Sequence, residues 1–100
     1  MDLKAINITF GNAKRQADKL TECSNQLKQI RQQIDALRGS LQRDWDGDAA
    51  NAFLAKCSAL EEKVKNTSAE VNTIAGAIRG AANAFYNAEM RALEIANSRG

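Results

Sequence analysis

The clearest pattern in this chain is a hydrophobic repeat in its second half. Steps of four and three residues from Phe53 meet Phe53, Cys57, Leu60, Val64, Thr67, Val71, Ile74, Ile78, Ala81, Phe85, Ala88, Ala92 and Ile95. Only Thr67 in that series is not apolar, and it still carries a methyl group. A 3.5-residue repeat held over this length predicts one long helix with a coiled-coil-like seam. Such a helix buries its stripe against a partner or is unstable in water.

The first half supplies that partner. From Leu20 the stepping gives Leu20, Cys23, Leu27, Ile30, Ile34, Leu37 and Leu41, and upstream of it lie Phe10, Ala13 and Ala17. The two series join through consecutive steps of three (Ala17, Leu20, Cys23), which predicts a local overwinding near residue 20. Ahead of them, Ala5-Ile6-Asn7-Ile8-Thr9 alternates and predicts a short extended arm, with Thr9 as helix N-cap. The expected organisation is a single domain over residues 1–100: helix one at about 10–42, a turn at about 43–47, and helix two at about 48–96. Asn97 to Gly100 are expected to fray.

A short link between long amphipathic helices makes an antiparallel hairpin, so the fold class is all-α. Asp46 or Asp48 is the expected cap of the second helix. Two helices bury only one stripe each, and a core of that size is marginal. Leu54, Ala50, Ala75, Ala82, Met90 and Leu93 lie off the seam, where they suit a second hairpin in an elongated four-helix bundle. Gly76 and Gly80 share a face rich in alanine. They fit either close helix approach or simple tolerance of glycine.

Composition narrows the chemistry. Histidine is absent, which removes the commonest general base and metal ligand. With no clustered carboxylates and no glycine-rich phosphate loop, the chain is read as non-enzymatic, with no cofactor and no metal. Asp44, Asp46 and Asp48 alternate like the start of a calcium loop, but Ala55 stands where an EF-hand needs its bidentate Glu. Proline is absent and aromatics reach only 5%, as long aliphatic helices require.

The charge is +2, with acids and bases interspersed, as in Lys14-Arg15-Gln16-Ala17-Asp18-Lys19. That is a solvated helix face and not a nucleic-acid stripe. No specific small-molecule site is expected either. Cys23 and Cys57 lack metal or redox spacing. In a hairpin turning near Trp45 they are offset by roughly 15 Å, at about 1.5 Å per residue, too far for a disulfide. Both fall on the seam and read as small buried hydrophobes. No apolar run spans a bilayer, and the N-terminus lacks a secretory signal. Composition alone would place the protein in the cytoplasm.

One motif changes that. Trp45-Asp46-Gly47 stands at the midpoint of a proline-free hairpin of about one hundred residues, followed by Ala49 and Phe53. The whole chain resembles the WXG family of small type VII secretion substrates, the early-secreted-antigen-like proteins. The resemblance implies export as a folded dimer by a membrane-bound secretion ATPase, without a cleaved signal. The protein would then be secreted after synthesis in the cytoplasm. It also implies one of two roles. The first is an effector in virulence or interbacterial competition. The second is an adaptor that carries the helical stalk of a larger toxin to the machine. The partner is a second copy or another small hairpin.

The family's C-terminal export signal is Tyr-x-x-x-Asp/Glu. Here Tyr86 to Glu89 is one residue short, while Phe85 to Glu89 has the spacing without the hydroxyl. The candidate recognition residues implied are Trp45, Gly47, Tyr86 and Glu89. The plainer alternative is a half-exposed Tyr beside a solvated Glu. Candidate hairpin or dimer packing residues are Phe53, Leu60, Val64, Val71, Ile74, Ile78 and Phe85. Trp45, four residues after Leu41, can fold partly over the hairpin end. In a dimer of antiparallel hairpins it can also meet Tyr86 and Glu89 of the other copy.

Overall fold

The protein, described here over residues 1–99 by a computed structural model, is an antiparallel hairpin of two helices. Helix α1 runs Leu3–Asp44 and α2 runs Asp48–Ser98. Both are rich in strong helix formers and carry no proline. The helix therefore continues through Asn97 and Ser98, which were expected to fray, while Gly100 lies outside the described residues.

The extended arm does not exist. Asp2 caps α1: its Oδ1 accepts the Ala5 backbone N–H at 2.8 Å, and its carbonyl accepts that of Ile6 at 3.0 Å. Thr9 lies well inside the helix. The reason is packing, because Ile6 is fully buried and needs helical spacing to Phe10 and Ala13 to join the inward row.

That inward row is also rotated from the expected seam. On α1 it runs Ile6, Phe10, Ala13, Ala17, Leu20, Ser24 and Leu27, all buried or half-buried. The steps alternate four and three throughout, so nothing requires overwinding near residue 20. Ser24 takes the place expected for Cys23, which is exposed, whereas Cys57 is buried as expected. On α2 the row is Ala50, Leu54, Cys57, Glu61, Val64, Ser68, Val71, Ala75, Ile78, Ala82 and Phe85. Ala50, Leu54, Ala75 and Ala82, expected to face a second hairpin, face α1 instead. Val64, Val71, Ile78 and Phe85 point inward, while Phe53, Leu60 and Ile74 are exposed.

Small residues make this choice possible. Ala17, Ala75 and Ala82 are buried, and so are Ser24 and Ser68. Small side chains in facing rows let two helix backbones approach closely, which recovers dispersion contacts that larger residues would hold apart.

The chain forms two compact units, one of Glu22–Val71 and the other of Met1–Thr21 with Asn72 onward. In the first, two buried serines clasp across the helices. Ser24 Oγ donates to the Ser68 carbonyl at 2.9 Å, Ser68 Oγ donates to the Ser24 carbonyl at 3.0 Å, and the hydroxyl oxygens lie 2.9 Å apart. Nearer the turn, Arg38 bridges Asp35 on its own helix and reaches Glu61 on α2, with Nε 3.5 Å from Oε1. Those two buried atoms pair by charge without a hydrogen bond.

In the other unit Arg79 donates to Asp18 Oδ1 at 2.9 Å and to Thr21 Oγ1 at 2.8 Å. Phe10 packs on Tyr86, with ring centroids 4.8 Å apart, and Lys14 Nζ lies 5.5 Å from the Phe10 centroid.

Candidate recognition surface

The turn is three residues long, between Asp44 and Asp48. Trp45 closes α1 by donating its backbone N–H to the Leu41 carbonyl at 2.9 Å. Asp46 Oδ1 accepts the N–H of Gly47 at 2.8 Å, so Asp46 stabilises the turn and does not cap α2. Gly47 then takes φ = 107°, a left-handed value that side chains resist, and its carbonyl receives the Asn51 N–H at 3.0 Å to start α2. Chain reversal by itself accounts for a glycine at this point. Asp48 sits in the first turn of α2, where a negative charge suits the helix dipole.

Trp45 is only partly sheltered at the hairpin end. It leans on Phe53, ring centroids 6.0 Å apart and tilted by 55°. The two rings nevertheless stay 45% and 43% exposed. Around them Asp44, Asp46 and Asp48 are all exposed. The aromatic pair is thus held in place yet half in water, with an acidic collar.

Tyr86 and Glu89 lie in the other unit. Tyr86 is half-buried because its ring packs on Phe10, and Glu89 and Phe85 are half-buried as well. Tyr86 therefore keeps only part of its side chain exposed.

The electrostatics are mild. Arg38 holds the Asp35 carboxyl below the usual carboxylate range, chiefly by hydrogen bonding, and Asp35 in turn raises the Arg38 guanidinium. Among the described residues no group of His, Cys, Asp or Glu is arranged to hold a metal ion. No described helix is long and apolar enough to cross a membrane.

Three features escaped sequence reasoning. The serine clasp was hidden because serine does not register as a core residue, although Ser24 and Ser68 sit at heptad distance from Ala17 and Ala75. The bonds from Arg79 to α1 need the hairpin register to be seen. Asp2 carried an N-cap signal of its own, overshadowed by Thr9.

Fold and turn together define a helical-hairpin protein that presents an aromatic residue at its chain reversal. The sequence matches the family model WXG100, proteins of 100 residues with WXG, over residues 5–90. The chain therefore belongs to the WXG100 family, whose members are small helical substrates of type VII secretion systems, generally non-enzymatic and typically dimeric. No curated protein and no solved structure matches it.

Proposed function

We propose that this protein is exported as a folded pair of hairpins by a type VII secretion ATPase, and that Trp45 is the side chain the machinery reads. The observation that carries this is the exposed Trp45–Phe53 pair on a turn whose backbone is set by Gly47. A tryptophan used for packing would bury most of its ring, since full burial of a large apolar side chain is worth about 1.5–3 kcal/mol. Tyr86 and Glu89 are the second element of the signal, offered on the α2 surface beside Phe10. The adaptor reading, with a toxin stalk as partner, needs the same exposed apolar surface.

The test is export from matched strains with and without the type VII ATPase, for the native chain and for Trp45→Ala. Expected is ATPase-dependent release of the native chain and, for Trp45→Ala, at least a tenfold loss of export with helix content unchanged. Normal export of a helical Trp45→Ala chain would refute the role of the ring. Export that ignores the ATPase would refute the reading as a whole.

A further inference from the structure

Asp44 works against the fold it belongs to. It is the last residue of α1, where unpaired carbonyls carry partial negative charge and disfavour an acidic side chain. Asp46 and Asp48 follow closely, so like charges crowd the reversal. Those two have local work. Asp46 accepts the Gly47 N–H, and Asp48 sits at the positive start of α2. Asp44 has no such task. Its side chain is exposed, and among the described residues its carboxylate takes no hydrogen bond and no ion pair. The adjacent cation does not answer it, because Arg43 turns back along α1 and donates from Nη2 to Ser40 Oγ at 3.4 Å.

An apolar patch stands beside that carboxylate. Trp45 follows it directly and leans on Phe53, and Leu60 lies one heptad beyond Phe53 on α2. All three side chains are 43–50% exposed. Ala49 and Ala52, next to Phe53 on α2, are exposed and add no charge. Every one of these residues belongs to the unit Glu22–Val71.

The fold alone leaves two things unexplained: aromatic rings in water, and an acid where dipole and neighbours repel it. A basic partner accounts for both. Aromatic side chains of this kind anchor contacts by filling a pocket. Burying the rings brings the turn acids to the rim of that pocket. A neutral rim would strip water from the carboxylates with nothing in return. Arginine or lysine there would pair with them, and arginine would also stack on the indole face.

We propose that Asp44 and Trp45 dock together on the secretion ATPase, in an apolar pocket rimmed by arginine or lysine, and that Asp44 selects this pocket by its charge. This rests on the reading of Trp45 above and specifies the chemistry of the site that receives it. Asp44 lowers the stability of the free chain and raises its affinity for the machine.

The test is binding of the labelled full-length chain to the solubilised ATPase at about 50 mM and about 500 mM salt, which span strong and weak screening. Expected for the native chain is an affinity at least about tenfold lower at the higher salt. Asp44→Asn should bind about tenfold more weakly at low salt, as loss of a charge-assisted contact requires, and respond less to salt. It should melt at the native temperature or slightly above it. Asp44→Lys should bind more weakly still. Glu70→Gln removes an exposed acid of the same unit away from the turn and should bind as the native chain does.

Native affinity in Asp44→Asn overturns the proposal. So does an equal loss in Glu70→Gln, which would assign the effect to net charge, or an Asp44→Asn chain that melts clearly below the native one, which would assign the acid to the fold. Binding that needs Trp45 and ignores Asp44 sinks the basic pocket and leaves the export reading standing. A native chain that the ATPase does not bind at low salt sinks both.

Discussion

The serine clasp offers the most direct check on how the helices are held. Ser24 and Ser68 are 1% and 2% exposed, and each hydroxyl donates to a carbonyl of the other helix. Those carbonyls lie in helix interiors and keep their own backbone donors. Ser68→Ala removes one cross-helix bond of about 1 kcal/mol net. The better helix propensity of alanine returns about half of that. Ser24 still donates to residue 68, so no donor is orphaned. Each single variant should therefore lose about 0.5–1 kcal/mol.

The double variant replaces the clasp by an alanine pair like the buried Ala17 and Ala75 nearby. Removing both polar partners of a buried bond is close to neutral. Its loss should stay within about 0.5 kcal/mol of a single variant. Ser24→Val adds bulk where the helices meet closely and should lose about 1–3 kcal/mol by overpacking. Thermal and urea unfolding followed by circular dichroism at one fixed protein concentration reads these differences. In a chain of this size 1 kcal/mol moves the midpoint by about 4–8 °C. A double variant that loses clearly more than about 0.5 kcal/mol beyond either single variant, or an indifferent Ser24→Val, would refute the close-contact account.

Further outcomes follow from other sites. Ile6→Ala should cost about 2–5 kcal/mol, towards the low end because it lies near a helix end; a loss below about 0.5 kcal/mol in urea unfolding would restore the extended-arm reading. Asp35 has its carboxyl held low by Arg38, so its contribution is complete above the ordinary carboxylate pKa and fades as pH falls through the lowered value. Melting curves against pH should show a small acid-side step that Asp35→Asn lacks, and identical curves would count against the contact. Cys57 should resist a thiol reagent until the chain unfolds, whereas Cys23 should react in the folded state, more slowly as protein concentration rises and copies pair. Equal rates for both thiols would contradict the burial pattern.

The helices and turn were legible in the sequence because periodicity, absent proline and Trp45-Asp46-Gly47 agree. The phase of the seam was not. Both helices carry more apolar positions than one row can hold, so two rows compete for the inside, and pattern reading prefers the one with larger side chains. Geometry prefers the other, since Ala17, Ser24, Ser68 and Ala75 permit close approach while Phe53, Leu60 and Ile74 would hold the helices apart. The start of α1 was misread for a related reason: Ala5 to Thr9 fits either period over so short a window, and only the burial of Ile6 decides it. At the candidate site, Trp45 and Gly47 were visible as a motif. The packing of Tyr86 on Phe10 was not, because it depends on which residues the hairpin brings level.

The left-handed backbone at Gly47 separates the two letters of the motif. Glycine there answers to the geometry of reversing one chain, and every partner-free copy of the protein already enforces it. The ring of Trp45, 45% exposed, leans on Phe53 and does not set the backbone of the reversal. A saturation scan scored for abundance would record the first letter and overlook the second, and one scored for export would record both. The gap between the two maps would show how much of the Trp-x-Gly signature belongs to the fold and how much to the machinery that reads it.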